Sequence, residues 1–465
     1  MAQDVIVVGG GFAGLSAAAA FANLGAKVRV FEASDGQRPG PFRGELIHPR
    51  GVRGLAALGL HEPLLAAGGV PVLGFAVTPE AGEDLVALPY DSALGTGLGI
   101  DHFTMVQTLR REVAARGVEI ITGQRIEELL VFGERVVGLR RADRTEHRAD
   151  LVVVADGRHS KLRLKLGMAP ESRLLSTMVA LGVRGVPLPE PGHGHVFLGA
   201  PGPILAYPYG EDLVRICVDV PVGPKGKDAL IAAIREQFAH HLPLPLRRGL
   251  LEALESGPFE GCAVHAMSTA ACAAPGVALV GDAAGCAHPL TASGLTNAVS
   301  DVLTLAEEIG RAGPTPRALE AYQRRRYDFI RMRELFTEAL YEVFRGSEPG
   351  PKALQRGVFQ YWRGSERARA VSMAILAGEE LNPARFAAEY SRVFGLSALE
   401  VLGRMATEPV GGARRLRSLV QTSYGRIEAA ATQTARAVVD RYRLKLVPAR
   451  PVAAHSRESA QHLAG

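Results

Sequence analysis

The chain is short of cysteine, tryptophan and lysine. Its 465 residues include four Cys, one Trp and seven Lys. The cysteines, Cys217, Cys262, Cys272 and Cys286, never fall at C-x-x-C spacing, so neither zinc, nor any other metal, nor a redox dithiol is expected. Such sparing use suits a reducing cytosol. No run of about 18 apolar residues occurs, so no transmembrane helix is expected. The apolar start at 5–8 runs directly into glycines, without a basic leader or a cleavage signal, and a cytoplasmic protein is expected. Charge of one sign is also scarce. Arg and Lys number 53 against 48 Asp and Glu, a net +5, too mild to point to nucleic acid. The excess of Arg over Lys reads as genome composition.

What is present suits a large globular protein: 47% hydrophobic and 22% charged residues, with room for roughly two to four domains. The first 35 residues read as strand, glycine turn, helix and strand, at 5–8, 15–24 and 27–32. This βαβ unit implies a parallel sheet. Residues 70–100 are rich in Gly and Pro and show no period. A helix is expected over 104–116, followed by short strands at 136–139 and 150–155. Residues 176–265 read as a largely β segment with one helix near 227–240. Within it, Gly210-Glu211-Asp212 forms the loop of a hairpin. The α/β pattern returns with a strand at 277–280 and a helix at 295–309, and after Pro316 the chain is almost wholly helical. Phe329, Met332, Phe336, Leu340 and Val343 form one apolar stripe.

Three motifs carry chemistry. Gly9-x-Gly11-x-x-Gly14 follows a strand and opens a helix, and Glu32 ends the next strand, 18 residues after Gly14. Gly9 allows the tight turn, Gly11 lets the backbone approach a pyrophosphate, and Gly14 allows close helix–sheet packing. The helix N-terminus faces the phosphates and Glu32 accepts from a ribose. The motif by itself fits FAD or NAD. The second motif is Asp156-Gly157-Arg158-His159-Ser160, with Arg163 beyond; it also reads as an ordinary Asp-capped turn. The third is Gly281-Asp282-Ala283-Ala284, followed by His288-Pro289-Leu290 and Gly294-Leu295-Thr296. Here Asp282 can accept from ligand hydroxyls, and a helix beginning near Gly294 aims its positive end at a developing anion.

In order and spacing, these motifs resemble the FAD-dependent monooxygenases of the p-hydroxybenzoate hydroxylase fold, over roughly residues 1–330. Gly44-Glu-Leu-Ile-His-Pro49, Pro289-Leu-Thr-Ala-Ser-Gly-Leu295 and Ala339-Leu-Tyr-Glu-Val-Phe344 are similar to squalene monooxygenase segments. The resemblance implies an α/β fold. A Rossmann-like FAD-binding domain of glutathione reductase type (1–70, 97–175, 265–335) would carry an inserted, mainly antiparallel β substrate domain (71–96, 176–264). A helical region (336–465) would follow. It implies that Gly9, Gly11, Gly14 and Glu32 hold the adenosine diphosphate half of FAD. Asp282 would bind the ribityl chain, Arg43 the flavin side, and Asp156-Gly157 both FAD and NADPH. Gly281, Pro289, Gly294 and Leu295 would complete the cofactor site.

The expected activity is insertion of one oxygen atom from O2 into a bulky apolar, isoprenoid-bearing substrate, by epoxidation or hydroxylation. Electrons would come from NADPH or NADH, directly or through a flavin reductase. A reductase of isoprenoid double bonds, an aromatic-ring hydroxylase and a non-catalytic flavoprotein are the alternatives. His288 and Tyr207 are the candidate catalytic side chains, with Tyr209 beside the latter, although each also reads as structural. Residues 410–450 carry nine Arg or Lys against two Asp or Glu, a net +7. This stretch reads either as a basic amphipathic helix resting on an anionic membrane or as a helix packed on the body with a solvated basic face.

Overall fold

A computed structural model describes residues 3–36, 44–80, 82–257, 260–268, 271–286, 288–346, 348–405 and 408–425, with 446 and 448. The first βαβ unit forms as its sequence directs. Strand Asp4–Val8 pairs in parallel with Lys27–Phe31 on one side and Leu151–Val154 on the other. Val277–Leu279 and Glu119–Ile121 extend the sheet on the two flanks, and Ala273–Ala274 closes one edge in antiparallel pairing. Both faces of the central strands are covered, so Val5, Ile6, Val7, Val152 and Val153 are all fully buried. Helix Phe12–Asn23 packs between this sheet and helix Gly294–Ala312. Its run of Ala17, Ala18, Ala19 and Ala20 leaves no bulk to hold the layers apart.

A seven-stranded sheet lies beyond the first. Its order is Glu260–Ser268, Glu171–Arg184, Leu213–Pro221, Ile204–Gly210, His193–Phe197, Gly74–Thr78 and Val86–Pro89. Side chains alternate across it. Val179, Leu181 and Ile216 face the helices Lys227–Ala233 and Leu244–Ser256, whereas Met178, Ala180 and Cys217 face the C-terminal helices. The expected hairpin is present, with Glu211-Asp212 as its loop. The helix expected near 227–240 ends at Ala233 and continues through a π turn, Ile234–Phe238. Helix Leu244–Ser256 was not anticipated; its prolines stand at the start, where a missing N–H is harmless.

The period-free stretch 70–100 holds four strands: Val70–Val72, Gly74–Thr78, Val86–Pro89 and Gly97–Asp101. Gly74, Gly97 and Gly99 mark close backbone approach, whereas Gly82 and Gly95 stand in turns at positive φ. A Cβ on Gly99 would lie 2.1 Å from the Pro208 carbonyl oxygen. Among the described residues, four elements run unbroken across the expected domain limits: the strands Val70–Val72, Glu171–Arg184 and Glu260–Ser268 and the helix Pro316–Phe344. The last leads into Pro349–Gly364, Glu366–Ala377 and Pro383–Met405, which cover the second sheet. Among the described residues, no helix is long and apolar enough to cross a membrane and no His/Cys/Asp/Glu cluster suits a metal ion.

Candidate functional site

The glycine turn separates packing from binding. Gly9 has φ +108°, and a Cβ there would lie 2.3 Å from the Ala155 oxygen; on Gly14 it would lie 1.9 Å from the Gly9 oxygen. Both are bare because neighbouring backbone fills the space. Gly11 differs, since its Cβ would meet nothing within 4 Å. Gly11 also caps helix Phe12–Asn23 without any side-chain acceptor, so the first-turn N–H groups face this open cradle. The cradle and donors fit the pyrophosphate of FAD. Glu32 holds the turn: Gly10 N donates to its Oε2 at 2.5 Å and Ser34 N to its Oε1 at 2.7 Å. Each oxygen keeps acceptor capacity for a ribose.

The other two motifs meet this turn. Gly281 takes φ +60°, where a Cβ would come 2.8 Å from that of Ala13. Its N–H donates to Asp301 Oδ2 at 3.0 Å, and Asp301 pairs with Arg326 at 3.0 Å, both side chains buried. The buried Arg163 staples the D-G segment to the G-D segment. Its guanidinium donates to Ala283 O (3.0 Å), Asp282 O (3.3 Å) and Arg158 O (2.8 Å). Sequence reasoning gave Arg163 no role; its place three residues after the Ser160 cap was the available signal. Gly157 supplies the positive φ of the turn, +86°. The Asp156 Oδ1 is buried with no partner among the described residues, and burial raises the pKa of this carboxyl. Burial also raises that of Asp282, with Arg158 4.0 Å away opposing it. The free Oδ1 of Asp156 and the carboxylate of Asp282 suit the hydroxyl groups of a ribityl chain or a ribose. Arg43 lies outside the described residues.

Beyond Asp282, the turn Pro289–Thr291 leads through Ala292, at φ +47°, into helix Gly294–Ala312. That helix too begins without a side-chain cap, and Leu295 packs on the main core behind it. His288 is almost fully buried. Its Nδ1 accepts from Leu290 N at 3.0 Å, so Nε2 carries the proton and points to Ser176 Oγ (3.3 Å) and Asp219 Oδ1 (3.4 Å). The ring leans on Tyr341, 4.4 Å between centroids. His288 therefore ties the turn to the second sheet and to the long helix. Tyr207 is buried in that sheet near Arg215, Cys217 and Glu45, and burial pushes its phenol well up. Tyr209 is buried beside it, its hydroxyl without a partner among the described residues.

Sequence reasoning also passed over His48 as a site residue. It is fully buried between Tyr90 OH, 2.7 Å from Nδ1, and Thr291 O, 2.7 Å from Nε2. A carbonyl only accepts, so Nε2 bears the proton and the Tyr90 hydroxyl donates to Nδ1. Desolvation lowers the imidazole pKa to about 4. The neutral ring thus clamps the turn that follows His288 against strand Gly44–Ile47, and Thr296 Oγ1 accepts from its backbone N–H.

An apolar cavity opens beside this turn. Leu290 forms part of its wall, with Phe75, Val77, Leu88 and Val196 from the sheet. The remaining wall comes from the four C-terminal helices, including Phe336, Leu340, Trp362 and Ile375. Its volume is about 120 Å³, below the common range of small-molecule sites. His288, Tyr207 and Tyr209 do not line it. Its polar margin is Glu389, which accepts from Tyr361 OH, Arg367 and Arg392.

Comparison with known proteins agrees with this geometry. The squalene epoxidase family profile matches residues 148–412, and the pyridine nucleotide-disulphide oxidoreductase profile matches 4–41. A squalene epoxidase of Aspergillus fumigatus is 30% identical over 381 residues, covering 77% of this chain and 79% of its own. Squalene epoxidase 3 of Arabidopsis thaliana is 29% identical over 402 residues, covering 82% and 75%. Among solved structures, HpxO of Klebsiella pneumoniae complexed with FAD superposes with TM-score 0.69 at 22% identity, covering 81% of this chain and 99% of that one. PqsL of Pseudomonas aeruginosa superposes with TM-score 0.65 at 23% identity, covering 74% and 97%. The three-motif cradle, the apolar cavity beside it and these likenesses lead to one conclusion: the chain belongs to the squalene epoxidase family and is an FAD-dependent monooxygenase.

Proposed function

We propose that this enzyme oxygenates a bulky, isoprenoid-bearing substrate lying in the apolar cavity, by epoxidation or hydroxylation. The observation that carries the reading is Leu290, which lines the cavity while belonging to the turn between Asp282 and helix Gly294–Ala312. Gly9, Gly11, Gly14, Glu32, Asp156, Gly157, Gly281 and Asp282 would hold FAD, with Pro289, Gly294 and Leu295 around its reactive end. Bound there, the flavin supplies the activation of O2. The chain's own contribution is orientation and dryness. Phe75, Leu340 and Trp362 exclude water, and the His48 and His288 hydrogen bonds keep the turn fixed.

NADPH or NADH supplies the electrons in this reading, directly or through a reductase. The domain division proposed is an FAD domain of 1–70, 97–175 and 265–335, a β domain of 71–96 and 176–264, and a helical region thereafter. Contact with an anionic membrane surface through the basic tail is part of the proposal. The test of the activity is anaerobic reduction of the bound flavin by NADPH, followed by O2 uptake with candidate isoprenoids. One labelled oxygen atom in the product supports oxygenation. A saturated product without oxygen identifies a reductase of isoprenoid double bonds instead.

A further inference from the structure

The four helices that wall the cavity are bonded to one another at the wall itself. Tyr361 and Trp362 of helix Pro349–Gly364, Ser372, Ile375 and Leu376 of helix Glu366–Ala377, and Glu389 of helix Pro383–Met405 all line it. Trp362 Nε1 donates to Ser372 Oγ at 2.9 Å. Glu389 accepts from the Tyr361 hydroxyl and, at 3.2 Å, from Arg367. The buried Arg333 of helix Pro316–Phe344 donates to the carbonyls of Ile375 (2.8 Å) and Leu376 (2.7 Å). Every helix of the wall is therefore tied to another by a hydrogen bond. The strands that supply Phe75, Val77, Leu88 and Val196 are fixed by their own ladders. Such a wall cannot swell for a larger guest without breaking these bonds, and a buried polar group left unpaired costs more than its bond contributes.

The volume so enclosed is about 120 Å³. An apolar cavity of about 150 Å³ takes one benzene ring, so this one holds about five carbons, a single isoprene unit. Trp362 is the largest side chain of the wall and the single tryptophan of the chain. It is 5% exposed. Besides the bond to Ser372, its ring meets that of Phe359 edge-on, 5.4 Å between centroids, and its carbonyl accepts from Arg369 at 2.8 Å. The indole is thus held in one place.

We infer that the cavity admits one isoprene unit and leaves the rest of the substrate outside, and that Trp362 sets this limit. The enzyme then recognises a prenyl end and does not read the length of the chain behind it. The inference rests on the cavity being the substrate site, as proposed above.

The holoenzyme, without an electron donor, is titrated by calorimetry with dimethylallyl, geranyl and farnesyl methyl ethers, which carry one, two and three isoprene units. Wild type is expected to bind all three within about threefold, because units beyond the first bury little further surface. Trp362→Leu enlarges the cavity and should bind the geranyl ether about tenfold more tightly than the dimethylallyl ether. Wild-type affinity that climbs steadily with each added unit shows that the walls yield; it overturns the inference while leaving the cavity as the substrate site, and it needs no variant to fold. A folded Trp362→Leu protein that still binds all three alike overturns it equally, since the limit is then set elsewhere. Binding of none of the three ethers removes the substrate reading of the cavity, and the inference with it.

Discussion

In the proposed FAD site, Gly11 is the position at which folding and cofactor binding come apart most cleanly. Its missing side chain is required by nothing in the protein, because an added Cβ meets no atom within 4 Å. Gly11→Val should therefore fold with little change in Tm and lose FAD affinity by on the order of 100-fold, about 3 kcal/mol. Gel filtration followed by flavin absorbance reads the loss. Gly14→Ala is expected to damage both, since its Cβ would sit 1.9 Å from the Gly9 oxygen. His48 makes a different prediction. Its folded pKa is about 4 against an ordinary 6.5, and His195 is lowered similarly by burial. In that window the unfolded chain binds more protons, so stability is full above about 6.5 and declines toward 4. Each histidine contributes on the order of 3 kcal/mol to the decline. His48→Gln, which keeps a donor and an acceptor, should remove a large part of it; a Tm–pH profile identical to that of wild type would refute the assignment.

At the scale of elements, the site depends on how helix Gly294–Ala312 is held. Asp301 lies on that helix, accepts from Gly281 N and pairs with Arg326 of helix Pro316–Phe344. Both side chains are buried, so removing one partner strands the other charge. Arg326→Leu is expected to lose about 3–5 kcal/mol in urea denaturation, and the Asp301→Leu/Arg326→Leu pair distinctly less. The double variant still deprives Gly281 N of its acceptor, so weaker flavin retention should persist in it although stability recovers. Equal stability of the single and double variants would show that Asp301 is compensated by some other group.

At the scale of the whole molecule, the charge is uneven. Residues 410–450 carry +7, which leaves −2 for the remainder of a chain whose total is +5. Most of that stretch, 426–445, lies outside the described residues, while Leu446 packs against the core of the first sheet. If the basic face meets lipid, the protein should float with anionic vesicles at low ionic strength and be released by salt. Replacing Arg436, Arg441 and Arg443 with Gln should abolish flotation. Absence of flotation by wild type at low salt would leave the packed-helix reading.

The βαβ unit, the hairpin around Glu211-Asp212 and the helix after Gly294 were legible in the sequence because each is a local pattern. A period, a turn residue or a glycine constraint acts over a few neighbours, and the resemblance to flavin monooxygenases rests on three such patterns in order. The strands within 70–100 were not legible, because their glycines answer to backbone from distant strands, as Gly99 does to Pro208. Nor were the roles of Arg163, His48 and Arg333, each of which joins segments far apart in the chain. Arg163 reaches Ala283, His48 reaches Thr291 and Arg333 reaches Ile375. Sequence by itself determined the glycine turn of the proposed cofactor cradle, since a phosphate seat is built from contiguous backbone. Only the tertiary structure decided the shape and polarity of the cavity, because its walls come from one sheet, one turn and four helices that meet only when the chain is folded.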